Sequence, residues 1–184
     1  MKTFRFSTYI NGNTSTQDEG VIGLLNEFHA YYLGARFTYD MLEPYKEAEG
    51  LVKGLHYWVS HSQSIMSAYY EFDYFIKEYL LYMEAHYASD YNALKSNTAF
   101  KEVYLSIRRN FKTLVHNYET VLDSQMKILN ESKKAEVVIE EGTLWITPEG
   151  SKTRIGTEIF SEDKDKIISI LKTGRYKSVE KDFI

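Results

Sequence analysis

From Asn97 to about Asn130 the chain contains neither glycine nor proline. Its apolar residues there keep one helical period: Phe100, Val103, Tyr104, Ile107, Phe111, Leu114, Val115, Tyr118, Val121 and Leu122. A long run with no helix breaker and a single apolar stripe predicts an amphipathic helix packed on other helices. Ser96 or Asn97 is placed to cap its first turn.

The flanking segments fit a helical layer. Val21, Leu24, Leu25, Phe28, Tyr32, Ala35, Tyr39 and Leu42 are spaced three and four apart, which predicts a helix closed by Pro44. "KEAEGLVKG", with Gly50 and Gly54, reads as a connection or a weak helical start. A second long pattern is clearest at Phe72, Phe75, Ile76, Tyr79, Leu80 and Met83 and is interrupted by "ASDYNALKSN". The aromatic run "YYEFDYFIKEYLLY" inside it is ordinary core packing once placed on a helix.

The two ends have a different period. "MKTFRFSTYI" sets Phe4, Phe6 and Thr8 on one side and Arg5 and Ser7 on the other, the alternation of a strand. "AEVVIEEGTLWIT" is two β-rich runs around a Glu-Gly turn, "PEG" is a further turn, and "RIGTEIF" is a short third run. Ser161 is positioned to cap "EDKDKIISILK", a short helix ended by Gly174. The expectation is a mainly α chain: a helical bundle with short β segments at the N-terminus and a C-terminal β-hairpin plus helix. Residues 1–134 hold the N-terminal strand and bundle, and residues 135–184 the appendage. An isolated hairpin is marginal, so the N-terminal strand is expected to pair with it.

Sixteen Tyr and ten Phe make the candidate core unusually aromatic; the Tyr hydroxyls need partners, which fits a well-hydrated interface, and the alternative is that the count is a compositional habit. The absence of cysteine excludes disulfides, thiolate metal sites and a cysteine nucleophile. The opening residues lack the apolar core of a signal peptide, and no run of apolar residues is long enough to span a bilayer. These features predict a cytoplasmic protein with no membrane partner.

The net charge of −4 argues against an overall basic nucleic-acid binder, but residues 97–134 carry 7 basic and 4 acidic groups. That positive segment contains "RRNFKTLVH", residues 108–116. With Ile107 set at 0° and 100° per residue, Phe100, Phe111, Leu114 and Tyr118 fall within about 40° of it. Arg109 lands near 200° and His116 near 180°, on one outward stripe and about 10.5 Å apart along the axis. Lys112, near 140°, adds a charge between them, and Asn110 directly follows Arg109. Leu105, near 160°, is an apolar residue on this polar stripe, as expected where a second subunit covers part of the face.

The stretch from Arg109 and Asn110 through Phe111, Lys112, Thr113, Leu114 and Val115 to His116 resembles the motif of HEPN domains. In that family an Arg, usually followed by a polar residue, precedes a His by four to six intervening residues; six intervene here. The resemblance covers roughly residues 17–132 and leaves the terminal β segments outside. It implies a bundle of about four or five helices and metal-independent RNA cleavage, in which a 2′-hydroxyl attacks the adjacent phosphate to leave a 2′,3′-cyclic phosphate. In those terms His116 is the proton shuttle and Arg109 the clamp on the developing phosphorane. Asn110 orients the imidazole or a phosphate oxygen, while Arg108 and Lys112 hold substrate. The resemblance further implies a homodimer in which antiparallel pairing of the motif helices brings Arg109 of one copy to the partner's His116. A toxin or defence setting, with an antitoxin or other protein partner, follows from the same likeness. The family's acidic residue from an earlier helix has three candidates here, Glu71, Asp73 and Glu78.

Two further readings stand beside this one. The first is a non-catalytic helical module, either a degenerate HEPN scaffold or an unrelated bundle, that binds a protein. The second is a viral or accessory inhibitor whose charged face blocks another protein. No cofactor or metal is expected: His56 and His61 are five apart, not the three or four that puts two ligands on one helix face. No phosphate-cradling glycine loop, nucleophile elbow or EF-hand spacing occurs.

Overall fold

The computed structural model describes residues 1–12, 15–158 and 162–184. The chain is mainly α, with helices α1 (Phe6–Tyr9), α2 (Ser15–Asp18), α3 (Gly20–Asp40), α4 (Leu42–His86), α5 (Ala88–Lys95) and α6 (Thr98–Ser132) before the strands. Strands β1 (Ala135–Glu140), β2 (Thr143–Pro148) and β3 (Ile155–Glu158) form an antiparallel sheet in the order β1-β2-β3. Helix α7 (Glu162–Leu171), a 3-10 turn at Gly174–Tyr176 and α8 (Lys177–Phe183) complete the chain. Ser161, expected to cap α7, lies outside the described residues.

The chain divides into two compact units: Met1–Tyr32, Ala68–Lys112 and Glu162–Ile184 in the first, and Leu33–Ser67 with Thr113–Ser161 in the second. The first is built on rings. Phe28 and Tyr69 both meet Phe111, at centroid distances of 5.6 and 5.7 Å, and Phe28 stacks on Phe72 at 6.2 Å. The C-terminal helix joins this unit through Phe183, 5.5 Å from Tyr91 and 5.9 Å from Phe100. In the second unit Trp58 meets Tyr118 at 4.7 Å, and its indole N–H donates to the Tyr39 carbonyl at 3.1 Å.

Capping and turn chemistry set the main boundaries. The Asn97 side chain accepts from the Phe100 N–H at 3.0 Å, so the expected cap opens α6. Lys133 has φ 57°, the left-handed residue that ends the helix. Asn130, in the last turn, then takes β1 at both ends of one residue. Its Oδ1 accepts from Val137 N–H at 2.8 Å and its amide donates to the Val137 carbonyl at 3.3 Å. Glu141 and Gly142, both at positive φ, close the hairpin as a two-residue turn between the paired Glu140 and Thr143. Val137, Leu144 and Ile146 are buried, as their alternation requires.

Three sequence readings are corrected. The N-terminal segment is not a strand: it turns into α1, and the sheet is drawn from residues 135–158 alone. The strand reading also inverts the faces, because Phe4 is 76% exposed whereas Arg5 is buried. The reason is a buried partner. Glu71 accepts from both the Arg5 backbone N–H and its guanidinium, and that pair outweighs the alternation. Phe6 and Tyr9 then pack on Phe75 and Phe72. Pro44 does not close α3; it sits in the first turn of α4, where its missing N–H costs nothing. "KEAEGLVKG", read as a connection or a weak helical start, is helical on both sides of a kink, so a helical arm does start within it. Gly50, at φ 78° and ψ 169°, breaks α4, and a Cβ on Gly54 would lie 2.7 Å from the Lys46 backbone. Only glycine lets the two arms approach that closely.

Phe111→Ala removes the ring shared by Phe28, Tyr32 and Tyr69. It is expected to cost ~3–5 kcal/mol in urea unfolding, with Phe111→Leu costing much less. A loss under 1 kcal/mol for the alanine variant would show that this ring cluster does not organise the unit.

Candidate functional site

The motif helix points its two consecutive arginines about 100° apart. Arg108 points inward: its Nε donates to Asp73 Oδ1 on α4 at 2.7 Å. The same oxygen accepts from the Tyr104 hydroxyl, one turn earlier on α6, at 2.9 Å. The other Asp73 oxygen lies 3.2 Å from Lys77 Nζ, which also reaches Glu180 on α8 at 3.3 Å. Asp73 and Lys77 are both almost fully buried, at 2% and 1% exposed. A buried carboxylate is tolerable only when its charge is matched and its lone pairs are occupied. Two cations and a phenol meet that demand here.

The titration of these groups follows. Burial, then the Asp73 charge, hold the Tyr104 phenol well above its ordinary range. Burial works against the Arg108 cation, but the Asp73 charge and hydrogen bond more than offset it, so its pKa rises. Arg108 is charged at every pH the protein meets.

Of the three acidic candidates, Asp73 is the one that reaches α6. Glu71 is engaged by Arg5. Glu78 takes a forked contact from Arg175, at 3.1 and 2.8 Å, and also the Tyr176 hydroxyl. Arg108, read from the sequence as a substrate contact, therefore has its Nε committed to Asp73.

Arg109, Lys112 and His116 are exposed, as the helical wheel predicts, and Asn110, which the wheel places nearer the core seam, is exposed as well. Asn110 donates to the Ser106 hydroxyl at 3.4 Å, a long contact within its own helix. Among the described residues neither Lys112 nor the His116 imidazole meets a hydrogen-bonding or ionic partner. Leu105, expected as the subunit contact, is half-buried.

The buried network was invisible as a site in the sequence. Its only signal is spacing: Asp73 and Lys77, and Tyr104 and Arg108, are each four apart and so share a helix face. Of the histidines set aside as metal ligands, His56 bonds Thr157 and His61 bonds Tyr45. Among the described residues no group of three His, Asp or Glu side chains could hold a metal ion, and no helix is long and apolar enough to cross a membrane.

No family model matches the chain, and no curated protein or solved structure matches it.

Asp73→Ala leaves Arg108 and Lys77 without their shared counter-charge. It is expected to destabilise the protein by ~3–5 kcal/mol in denaturant unfolding. Replacing Asp73, Lys77 and Arg108 together with Leu and Met should cost clearly less than Asp73→Ala alone. If the single variant is the milder of the two, the charges are not coupled.

Proposed function

We propose that the outer face of α6 cleaves RNA without a metal, in the manner the HEPN resemblance implies. The observation that carries this reading is the exposed His116 imidazole, which meets no hydrogen-bonding or ionic partner among the described residues; the helical period of the sequence puts the exposed Arg109 on the same stripe. Imidazole is the side chain suited to moving a proton in such a reaction. Arg109 supplies a permanent forked donor set for the phosphorane oxygens, and Lys112 adds positive charge between them. Asp73 fits the acidic residue that the resemblance draws from an earlier helix, although it bonds Arg108 rather than Arg109.

The chemistry needs a second copy. Twofold antiparallel pairing of α6 sets Arg109 of one protomer beside the partner's His116 and removes the axial gap. His116 takes the proton of the RNA 2′-hydroxyl as that oxygen bonds to phosphorus; the bond from phosphorus to the 5′-oxygen breaks, and that oxygen takes up a proton from solvent water. The nucleophile explains selectivity for RNA over DNA. Cleavage of a host or invader RNA, as in a toxin or defence protein, is the role that suits this activity.

The test is cleavage of a mixed RNA pool in EDTA by wild type, Arg109→Ala and His116→Ala, with product ends mapped. The wild type is expected to leave cyclic phosphate ends, and each variant to lose ~10²–10⁴ of the rate. A wild type that cleaves nothing, or a His116→Ala protein that cleaves as fast, overturns the reading in favour of a non-catalytic interaction module.

A further inference from the structure

The C-terminal helix α8 is held in place by side chains from earlier elements. Asp182 accepts from the Tyr91 hydroxyl at 3.0 Å and lies 2.9 Å from Lys95 Nζ, both on α5. Phe183 is buried against the rings of Tyr91 and Phe100. A helix of seven residues, the length of α8, is not stable in water by itself. Its helical form therefore depends on docking, which gives the segment two states: docked and helical, or released and unfolded.

One contact of this segment reaches the buried network. Glu180 Oε1 lies 3.3 Å from Lys77 Nζ, and the fully buried Tyr176 ring lies 6.0 Å from the same ammonium. From Lys77 the contacts run on to Asp73, and from Asp73 to Arg108. The charges alternate along this line, so that with α8 docked two carboxylates face two cations. Without the Glu180 charge, Lys77 and Arg108 draw on Asp73 together, and the two cations repel each other in a setting withdrawn from water. Full release of α8 also takes Glu180 and Tyr176 away from Lys77 and admits water, which weakens every charge interaction in the line. Either way the hold of Asp73 on Arg108 slackens. Among the described residues no hydrogen bond or ion pair joins Glu180 to Arg108 directly, so the effect passes through Lys77 and Asp73.

We propose that the C-terminal segment is a strap on the motif helix. Glu180, acting through Lys77 and Asp73, completes the charge balance that holds Arg108, so that docking of α8 and anchoring of α6 on α4 are one coupled event. Whatever lifts α8 loosens the helix that carries Arg109. The strap does not require α6 to be catalytic.

A double-variant cycle in the whole chain tests it. Glu180→Gln keeps a hydrogen-bond acceptor but removes the charge, leaving two cations on Asp73. Arg108→Met leaves two carboxylates on Lys77. Together the two changes leave the balanced Asp73–Lys77 pair. In urea unfolding, the unfolding constant of the double variant is therefore expected to rise several-fold less than the product of the single effects. The Arg108 Nε proton gives a direct reading by NMR. Its exchange with water should quicken several-fold in Glu180→Gln, and also in Phe183→Ala, which weakens docking of α8. The Trp58 indole N–H, which is bonded to the Tyr39 carbonyl, should keep its wild-type rate in both. Single effects that simply multiply, an Arg108 Nε proton indifferent to either variant, or an equal rise at Trp58 overturns the strap. None of these readouts depends on RNA cleavage.

Discussion

A buried carboxylate fixes the rotation of the helix that matters most. Asp73 is almost entirely withdrawn from water and requires positive charge and hydrogen-bond donors on every accessible side. Tyr104 and Arg108 answer from one stripe of α6, so α6 is locked about its own axis where it passes α4. Once Arg108 faces inward, the next residue must point about 100° away. Arg109 is thereby turned to solvent. The inward partner thus determines which positive charge the protein displays.

The tyrosine excess has a physical use. Tyr104 bonds Asp73, Tyr91 bonds Asp182 and Tyr176 bonds Glu78. In each case a ring fills apolar space while its hydroxyl satisfies a carboxylate. Burial, first, and then the carboxylate in each pair raise these phenol pKa values, so they remain donors across the physiological range. Burying Lys77 is tolerable for the same reason, because two carboxylates meet its ammonium.

What the sequence made legible was periodic or local. The α6 seam, its Asn97 cap and the Glu141–Gly142 turn each depend on residues a few positions apart, and each is found as expected. What it hid was long-range charge pairing. Arg5 and Glu71 are 66 positions apart, and no local pattern shows that an arginine between two phenylalanines belongs inside. Phase separates Arg108 from Arg109, but nothing local shows that Arg108 is anchored, because its partner Asp73 is 35 positions away. The outward placement of Arg109 and His116 was legible because it is a matter of phase. The chemistry of that face belongs to what it meets.

The clamp of Asn130 on both backbone groups of Val137 governs how the chain tolerates changes in length. The connector from the end of α6 to β1 has a fixed span, and a strand's side chains alternate with each residue. One residue added or lost between Asn130 and Val137 would present the opposite face of β1 to the core, or break the clamp. At the Glu141–Gly142 tip an added residue lengthens the loop without shifting the register of the paired strands on either side. Two points in the same hairpin, only a few residues apart, therefore differ sharply in their capacity to accept insertions.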